Sequence, residues 1–386
     1  MVKDRAPNPL ALAIGGLIAL AAAMGLGRFL YTPLLPLMAA DAGLTPQQAG
    51  WIASANFAGY LLGALLAALP GLSSRAWIGM IAALAASGFT TGLMALDGPV
   101  WLWLLLRFAG GLASAFVLVF ASALVVRRLQ STGHDALTAI HFAGVGTGIL
   151  VSAVISAPWF FSAADWSQIW QTGAGLTVAV LLALLWLIPK GETSTRPVKQ
   201  GKRDPHLWRL ILSYGCLGFG YVITATFIVT ILRESGASRT EETLIWALVG
   251  TAAIPSVALW SWAARRYGGI RMYQLAMGLE AIGVAISVLP GTSAMLLAAL
   301  LLGGTFMALT ALGFQEAAKR TPGDGRAIMA LMTACFGVGQ MIGPSLAGWL
   351  RDLTGSFTLP SLIAAAVLVF GALIVMPMGR AQPRGS

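Results

Sequence analysis

Arg28, Arg107, His141 and Glu280 are ionisable residues set inside long apolar runs. In a hydrocarbon surrounding such groups are costly, so each marks a candidate site by default. A guanidinium offers a planar fork of donors that fits a carboxylate or a phosphate. Glu280 supplies a carboxyl and His141 an imidazole, the two groups best suited to carrying a proton. Each also has a structural alternative. Arg107 could bond backbone carbonyls, and Arg28 could snorkel or hold a glycine-loosened helix. Glu280 could be a neutral, hydrogen-bonded acid and His141 a helix-packing residue. Tyr31, Asn56, Tyr60, Tyr221, Thr224, Thr226, Gln315 and Gln340 add uncharged groups, each equally able to bond between helices.

The elements that must position these residues follow from composition. Hydrophobic residues make up 58% of the chain and charged residues 10%. A soluble domain carries about 45–50% apolar and about 25% charged residues. With so few charges the apolar excess must face lipid or itself. A spanning helix takes roughly 20 apolar residues, so 386 residues hold about a dozen. Cys216 and Cys335 lie in apolar runs and read as packing residues. No Walker lysine loop is present, and the three histidines are scattered, with no metal-ligand spacing. The chain does not read as an enzyme, and neither a cofactor nor a metal is expected.

The apolar runs predict spans at 10–39, 47–70, 76–96, 99–126, 136–161, 167–188, 207–232, 242–263, 272–290, 293–316, 326–350 and 357–378. Placing the N-terminus inside puts 19 Lys and Arg residues in inside loops and three (Arg233, Arg239, Arg351) in outside loops. That asymmetry predicts a multi-pass membrane protein with both termini cytoplasmic. It also accounts for the net charge of +10: the basic loops meet anionic lipid, and no nucleic-acid partner is required. Arg28 then lies ~27 Å along the first span and Arg107 ~12 Å into the fourth, from opposite sides, at similar depth.

The segment Pro189 to His206 is polar, basic and rich in Pro and Gly. It divides the chain into an N-terminal six-helix bundle (1–188), a cytoplasmic linker (189–206) and a C-terminal six-helix bundle (207–386). The halves repeat. Gly25 and Gly27 match Gly218 and Gly220, Gly110-Gly111 matches Gly303-Gly304, and Gly144 and Gly146 match Gly337 and Gly339, each 193 positions apart. The same offset sets Tyr221 opposite Arg28, a phenol against a cation. Pro33, Pro36, Pro255 and Pro344 interrupt spans and read as kinks or gating points.

Several motifs resemble the major facilitator superfamily over the whole chain. Arg107-Phe-Ala-Gly-Gly111 resembles its Arg-x-x-x-Gly motif. Gly337-Val-Gly-Gln-Met-Ile-Gly-Pro344 resembles its antiporter-type glycine-rich motif, displaced into the second half. Ala264-Arg-Arg-Tyr-Gly-Gly-Ile-Arg271 resembles the loop motif between helices eight and nine, with Arg265 where the pattern has Asp. The equivalent loop of the first half, Pro70 to Ala76, lacks the motif. The runs Gly25 to Pro36, His141 to Gly146 and Gly218 to Phe227 resemble the YbfB/YjiJ-like bacterial branch, which implies a bacterial inner membrane. The resemblance implies an all-α membrane protein of twelve helices in two pseudo-symmetric bundles, with a substrate site near the midplane between them. It also implies that helices one and four line that site, while helix nine is peripheral.

The combined expectation is secondary active transport of a small organic solute, an organic anion such as a carboxylate, by alternating access in a monomer driven by a proton gradient. The substrate-binding candidates are Arg28, Tyr31, Asn56, Tyr60, Arg107, Tyr221, Thr224 and Gln340; the coupling candidates are His141 and Glu280. The alternative is proton-driven efflux of drugs or other amphipathic compounds, and a third is a membrane-embedded sensor without flux.

Overall fold

The computed structural model describes residues 8–69, 75–161, 166–190, 204–321 and 326–376. Among the described residues there are twelve helical rods and no strand. They are α1 (Pro9–Ala42), α2 (Pro46–Ala67), α3 (Ala76–Leu93), α4 (Val100–Ser131), α5 (Thr138–Ile155), α6 (Trp166–Leu187), α7 (Leu207–Glu234), α8 (Arg239–Tyr267), α9 (Gly269–Ile286), α10 (Thr292–Arg320), α11 (Arg326–Thr354) and α12 (Thr358–Ile374). Ten are long and apolar enough to cross a membrane by length and composition. α12 is a shorter apolar helix, and α9 carries Arg271 and Glu280. The spans expected from apolar runs therefore correspond to twelve rods, with boundaries displaced by a few residues. Most of the expected linker (191–203), loop residues 70–74 and the charged ends of the chain lie outside the described residues.

Local chemistry starts and stops these helices. Thr45 and Gln48 form a capping box at α2, and Ser238 with Glu241 forms another at α8. Gly43, at φ 64°, closes α1 in the left-handed region. At the entry to α7, Asp204 accepts from the His206 N–H at 2.8 Å and from Arg320 at 2.7 Å. Partial burial pushes its carboxyl up, but these bonds outweigh that and hold it below the ordinary carboxylate range.

The outward faces are apolar, as a lipid solvent requires. Trp186 on α6 is 89% exposed and Phe89 on α3 is 68% exposed. Inside each bundle, glycine lets helix backbones touch. A Cβ on Gly111 of α4 would lie 1.9 Å from the Asn56 carbonyl oxygen of α2. A Cβ on Gly303 of α10 would lie 2.2 Å from the Val249 carbonyl oxygen of α8. The two halves thus build the same contact, one residue out of register with the 193 offset.

The bundles meet through α2 with α11, α5 with α8 and α1 with α7. The direct bonds cluster toward the end of the molecule away from Pro9. The Thr32 hydroxyl donates to the Ala225 carbonyl at 2.8 Å, a contact between two positions 193 residues apart. Trp246 donates to Ser152 at 2.9 Å. Ser345 and Ser54 join by their hydroxyls at 2.8 Å. The Gln47 N–H reaches Asp352 at 3.1 Å. Arg239 donates to the Ser156 and Phe161 carbonyls at 3.1 and 3.2 Å.

The helix contacts make a prediction about the glycines. Gly111→Ala and Gly303→Ala should each destabilise the protein by ~1–3 kcal/mol, because the added methyl must displace backbone. Gly304→Ala should not, since a Cβ there meets nothing within 4 Å. Thermal unfolding in detergent reads the difference; equal midpoints for Gly304→Ala and Gly303→Ala would refute the packing account.

Candidate functional site

A break in α1 makes the site. The rod is α-helical over Pro9–Leu20, π-helical over Ala21–Phe29, and α-helical again from Tyr31. π-helical stretches are rare and concentrate at functional sites. The wider turn falls where the Gly25 backbone presses on α5, so that a Cβ there would come 2.2 Å from the Gly148 Cα. It ends short of Pro33, which has no N–H to send back to the Phe29 carbonyl four residues earlier. The two carbonyls before that one take donors from α4. Arg107 donates through Nη1 to the Gly27 carbonyl at 3.0 Å and through Nη2 to the Arg28 carbonyl at 2.9 Å.

Two further candidates support that clamp. Asn56 of α2 donates to the Arg107 carbonyl at 2.8 Å. The Tyr31 ring lies 5.0 Å from the Arg107 guanidinium, and its hydroxyl donates to the Ala49 carbonyl at 3.1 Å. Arg107, Asn56 and Tyr31 therefore tie α1, α2 and α4 together and do not line the cavity. The backbone-bonding alternative for Arg107 is what the geometry displays.

Arg28 is different. It is 4% exposed and projects from the π stretch into a cavity of about 290 Å³ between the bundles. Its guanidinium carbon lies 4.1 Å from the Tyr60 ring centroid and 4.6 Å from that of Phe57, on aromatic faces that attract a cation. Its Nε and Nη2 have no hydrogen-bond partner among the described residues. Of the described residues lining the cavity, Arg28 alone is charged.

The cavity is lined by α1, α2, α4, α5, α7, α8, α10 and α11, with nothing from α3, α6, α9 or α12. Tyr60 and Tyr221 line it with Arg28, and so does Gln315. Tyr221 is stacked between Phe306 and Phe336, at centroid separations of 5.6 and 5.8 Å. Gln340 lies behind it and donates to the Tyr221 hydroxyl. Thr224 and Thr226 are buried on α7 away from the lining, and the Thr224 hydroxyl has no partner among the described residues.

The two coupling candidates lie apart from each other and off the cavity wall. His141 is fully buried where α1, α4 and α5 meet. Its Nε2 is 2.9 Å from the Ser122 hydroxyl, and a Cβ on Gly16 would lie 2.3 Å from its Nδ1. Glu280 is fully buried between α9 and α10 and accepts from the Thr305 hydroxyl. The next residue, Phe306, is part of the cavity wall.

Residue chemistry alone does not mark the aromatic wall itself (Phe29, Phe142, Phe306, Phe314, Phe336 and Tyr214). A Phe in an apolar run carries no mark distinguishing cavity from lipid. One signal was available: Phe336 adjoins a repeat glycine, Gly337, and Phe29 adjoins Arg28.

Twelve helical rods among the described residues, with a cavity shared by two bundles, are the architecture of a multi-pass membrane protein, and the family match makes it a transporter. A family described as "Uncharacterised MFS-type transporter YbfB" matches residues 20–376, and the chain belongs to it. The chain is 26% identical over 195 residues to a protein of Agrobacterium vitis named "Putative tartrate transporter", an alignment covering 50% of this chain but only 43% of that relative. It is 26% identical over 338 residues to "Probable transporter SCO4007" of Streptomyces coelicolor, covering 83% of this chain and 78% of that one. The fold is similar to a crystal structure of a nucleoside transporter NupG variant, with a TM-score of 0.74 at 16% identity, covering 96% of this chain and 100% of that one.

The clamp makes a further prediction. Arg107→Met should leave the Gly27 and Arg28 carbonyls without donors, at about 1–3 kcal/mol for each. Arg107→Lys, which keeps the charge but not the fork, should recover only part of the loss. Denaturation midpoints of the three proteins check this, and an unchanged midpoint in Arg107→Met would refute the clamp.

Proposed function

We propose that the protein is a secondary transporter that carries a small organic anion between the two faces of a bacterial inner membrane by alternating access. The observation that carries this reading is Arg28: a guanidinium 4% exposed on the wall of a central cavity, with its Nε and Nη2 unpaired among the described residues. A buried cation without a counter-charge is costly. A carboxylate on the cargo would supply the acceptors. The Agrobacterium vitis relative is named for tartrate, an organic acid, and that name points the same way.

Alternating access is supported by where the bundles touch. The bonds from Thr32, Ser54, Trp246 and Arg239 seal one end of the cavity. With the basic loops taken as cytoplasmic, the sealed end is the outer one, and the cavity serves the cytoplasmic side. A proton gradient is the proposed energy source. Glu280 is the coupling group this reading favours, because its partner Thr305 adjoins cavity residue Phe306. The same reading takes the monomer as the working unit, because both bundles of one chain line the cavity. The aromatic wall also supports a second reading, export of amphipathic compounds.

Two experiments follow. Purified protein in liposomes should take up a labelled carboxylate under an imposed pH gradient, and Arg28→Ala should lower uptake at least ~30-fold, the rate equivalent of about 2 kcal/mol. Full activity in Arg28→Ala refutes the anion site; export of a toxic amphipath by that variant would favour the second reading. Separately, Ser54→Cys with Ser345→Cys, in a protein whose Cys216 and Cys335 are replaced by Ser, should form a disulfide that stops transport reversibly. Undiminished flux in the cross-linked protein would exclude opening at that seal.

A further inference from the structure

The cavity has one cation and a wall of rings. From that asymmetry, and resting on the anion reading above, we infer that the cargo is a monovalent anion with a flat apolar body, such as an aromatic monocarboxylate, and not a small dicarboxylate.

The charge balance comes first. Arg28 is the one charged residue among the described residues lining the cavity, and one anionic group neutralises it. A second carboxylate in the same space would find neutral donors only, which leaves a desolvated charge without a counter-ion. Even the neutral donors are few. The Tyr214 hydroxyl donates to the Thr310 carbonyl at 3.4 Å, while the Tyr221 hydroxyl accepts from Gln340 and keeps its own O–H. Gln315 has its amide nitrogen 3.1 Å from the Ser261 hydroxyl. The repeat shows the same division, because the position matching Arg28 in the second half is the phenol Tyr221.

The wall comes second. The Tyr221 ring lies between Phe306 and Phe336, and Phe29 meets Phe306 edge-on at 6.1 Å. Phe142 and Phe314 face the same space. A lining made so largely of aromatic side chains favours an aromatic body over a hydroxylated one. A polyol diacid such as tartrate would have to give up its water to this wall, with few partners for its hydroxyls.

The test uses purified full-length protein in liposomes at pH 7 with three labelled probes. Benzenesulfonate is an aromatic monoanion that stays ionised and does not cross the bilayer as a neutral acid. Tartrate is the dianion, and lactate a monoanion without a ring. Benzenesulfonate should enter at least ~10-fold faster than tartrate and faster than lactate. Phe306→Leu, which keeps an apolar side chain, should reduce that preference over lactate. Gln315→Arg, which adds a second cation, should raise tartrate entry relative to benzenesulfonate. Tartrate entering as fast as benzenesulfonate would overturn the monovalent assignment while leaving the anion reading intact. Lactate matching benzenesulfonate in both the parent and Phe306→Leu would overturn the role of the rings. Entry of none of the three, with Arg28→Ala indistinguishable from the parent in stabilisation by each probe, would overturn the anion reading itself.

Discussion

The structure turns on the two hydrogen bonds from Arg107 to the carbonyls of Gly27 and Arg28. A π stretch costs regular hydrogen bonding, and in lipid an unpaired carbonyl has no water to turn to. Here the wide turn is tolerated because a second helix brings a fork of donors to it. The result is a local change of twist in α1 that aims Arg28 at the space between the bundles. Residues that look like separate binding candidates in the sequence are joined in one support: Asn56 holds Arg107, Tyr31 stacks on it, and α2 holds Tyr31.

Internal repetition then supplies a cavity whose two walls are related but not alike. Glycine contacts recur in both halves, α2 on α4 and α8 on α10. Thr32 bonds Ala225 across the axis at the repeat offset. One turn earlier, the same offset sets Arg28 against Tyr221. The first half offers charge resting on Tyr60 and Phe57, and the second offers a stacked column of rings. Specificity in a pseudo-symmetric protein resides in such places, where the repeat keeps the backbone and changes the side chain.

Much of this was legible in the residues. The solvent, the twelve rods and the paired halves follow from composition, charge alternation and glycine spacing, because lipid permits few alternatives. The closeness of Arg28 and Arg107 follows from a fixed helical rise. The π stretch was not legible: Ala-Ala-Ala-Met-Gly-Leu-Gly-Arg-Phe suits an α-helix by local preference, and only the contact with Gly148 and the donors from Arg107 select the wider turn. The division of polar residues was hidden for a similar reason. Tyr31 and Tyr60 are both tyrosines in apolar runs, yet one bonds a neighbouring helix and the other lines the cavity. Likewise, Phe89 facing lipid and Phe306 facing the cavity have the same local chemistry. Those distinctions belong to helix rotation, which tertiary packing sets.

The central claim is that the Arg28 guanidinium is the counter-charge of the cargo's anionic group. Solid-state NMR can measure it directly, by dipolar recoupling between a carboxyl-carbon-labelled phenylacetate and guanidinium nitrogens in the membrane-embedded protein. Arg28→Lys identifies the signal of Arg28 by its loss. The account predicts dephasing of the carboxyl carbon at hydrogen-bond range that disappears in Arg28→Lys. Bound phenylacetate with the same dephasing in both proteins, or with none in either, would contradict it.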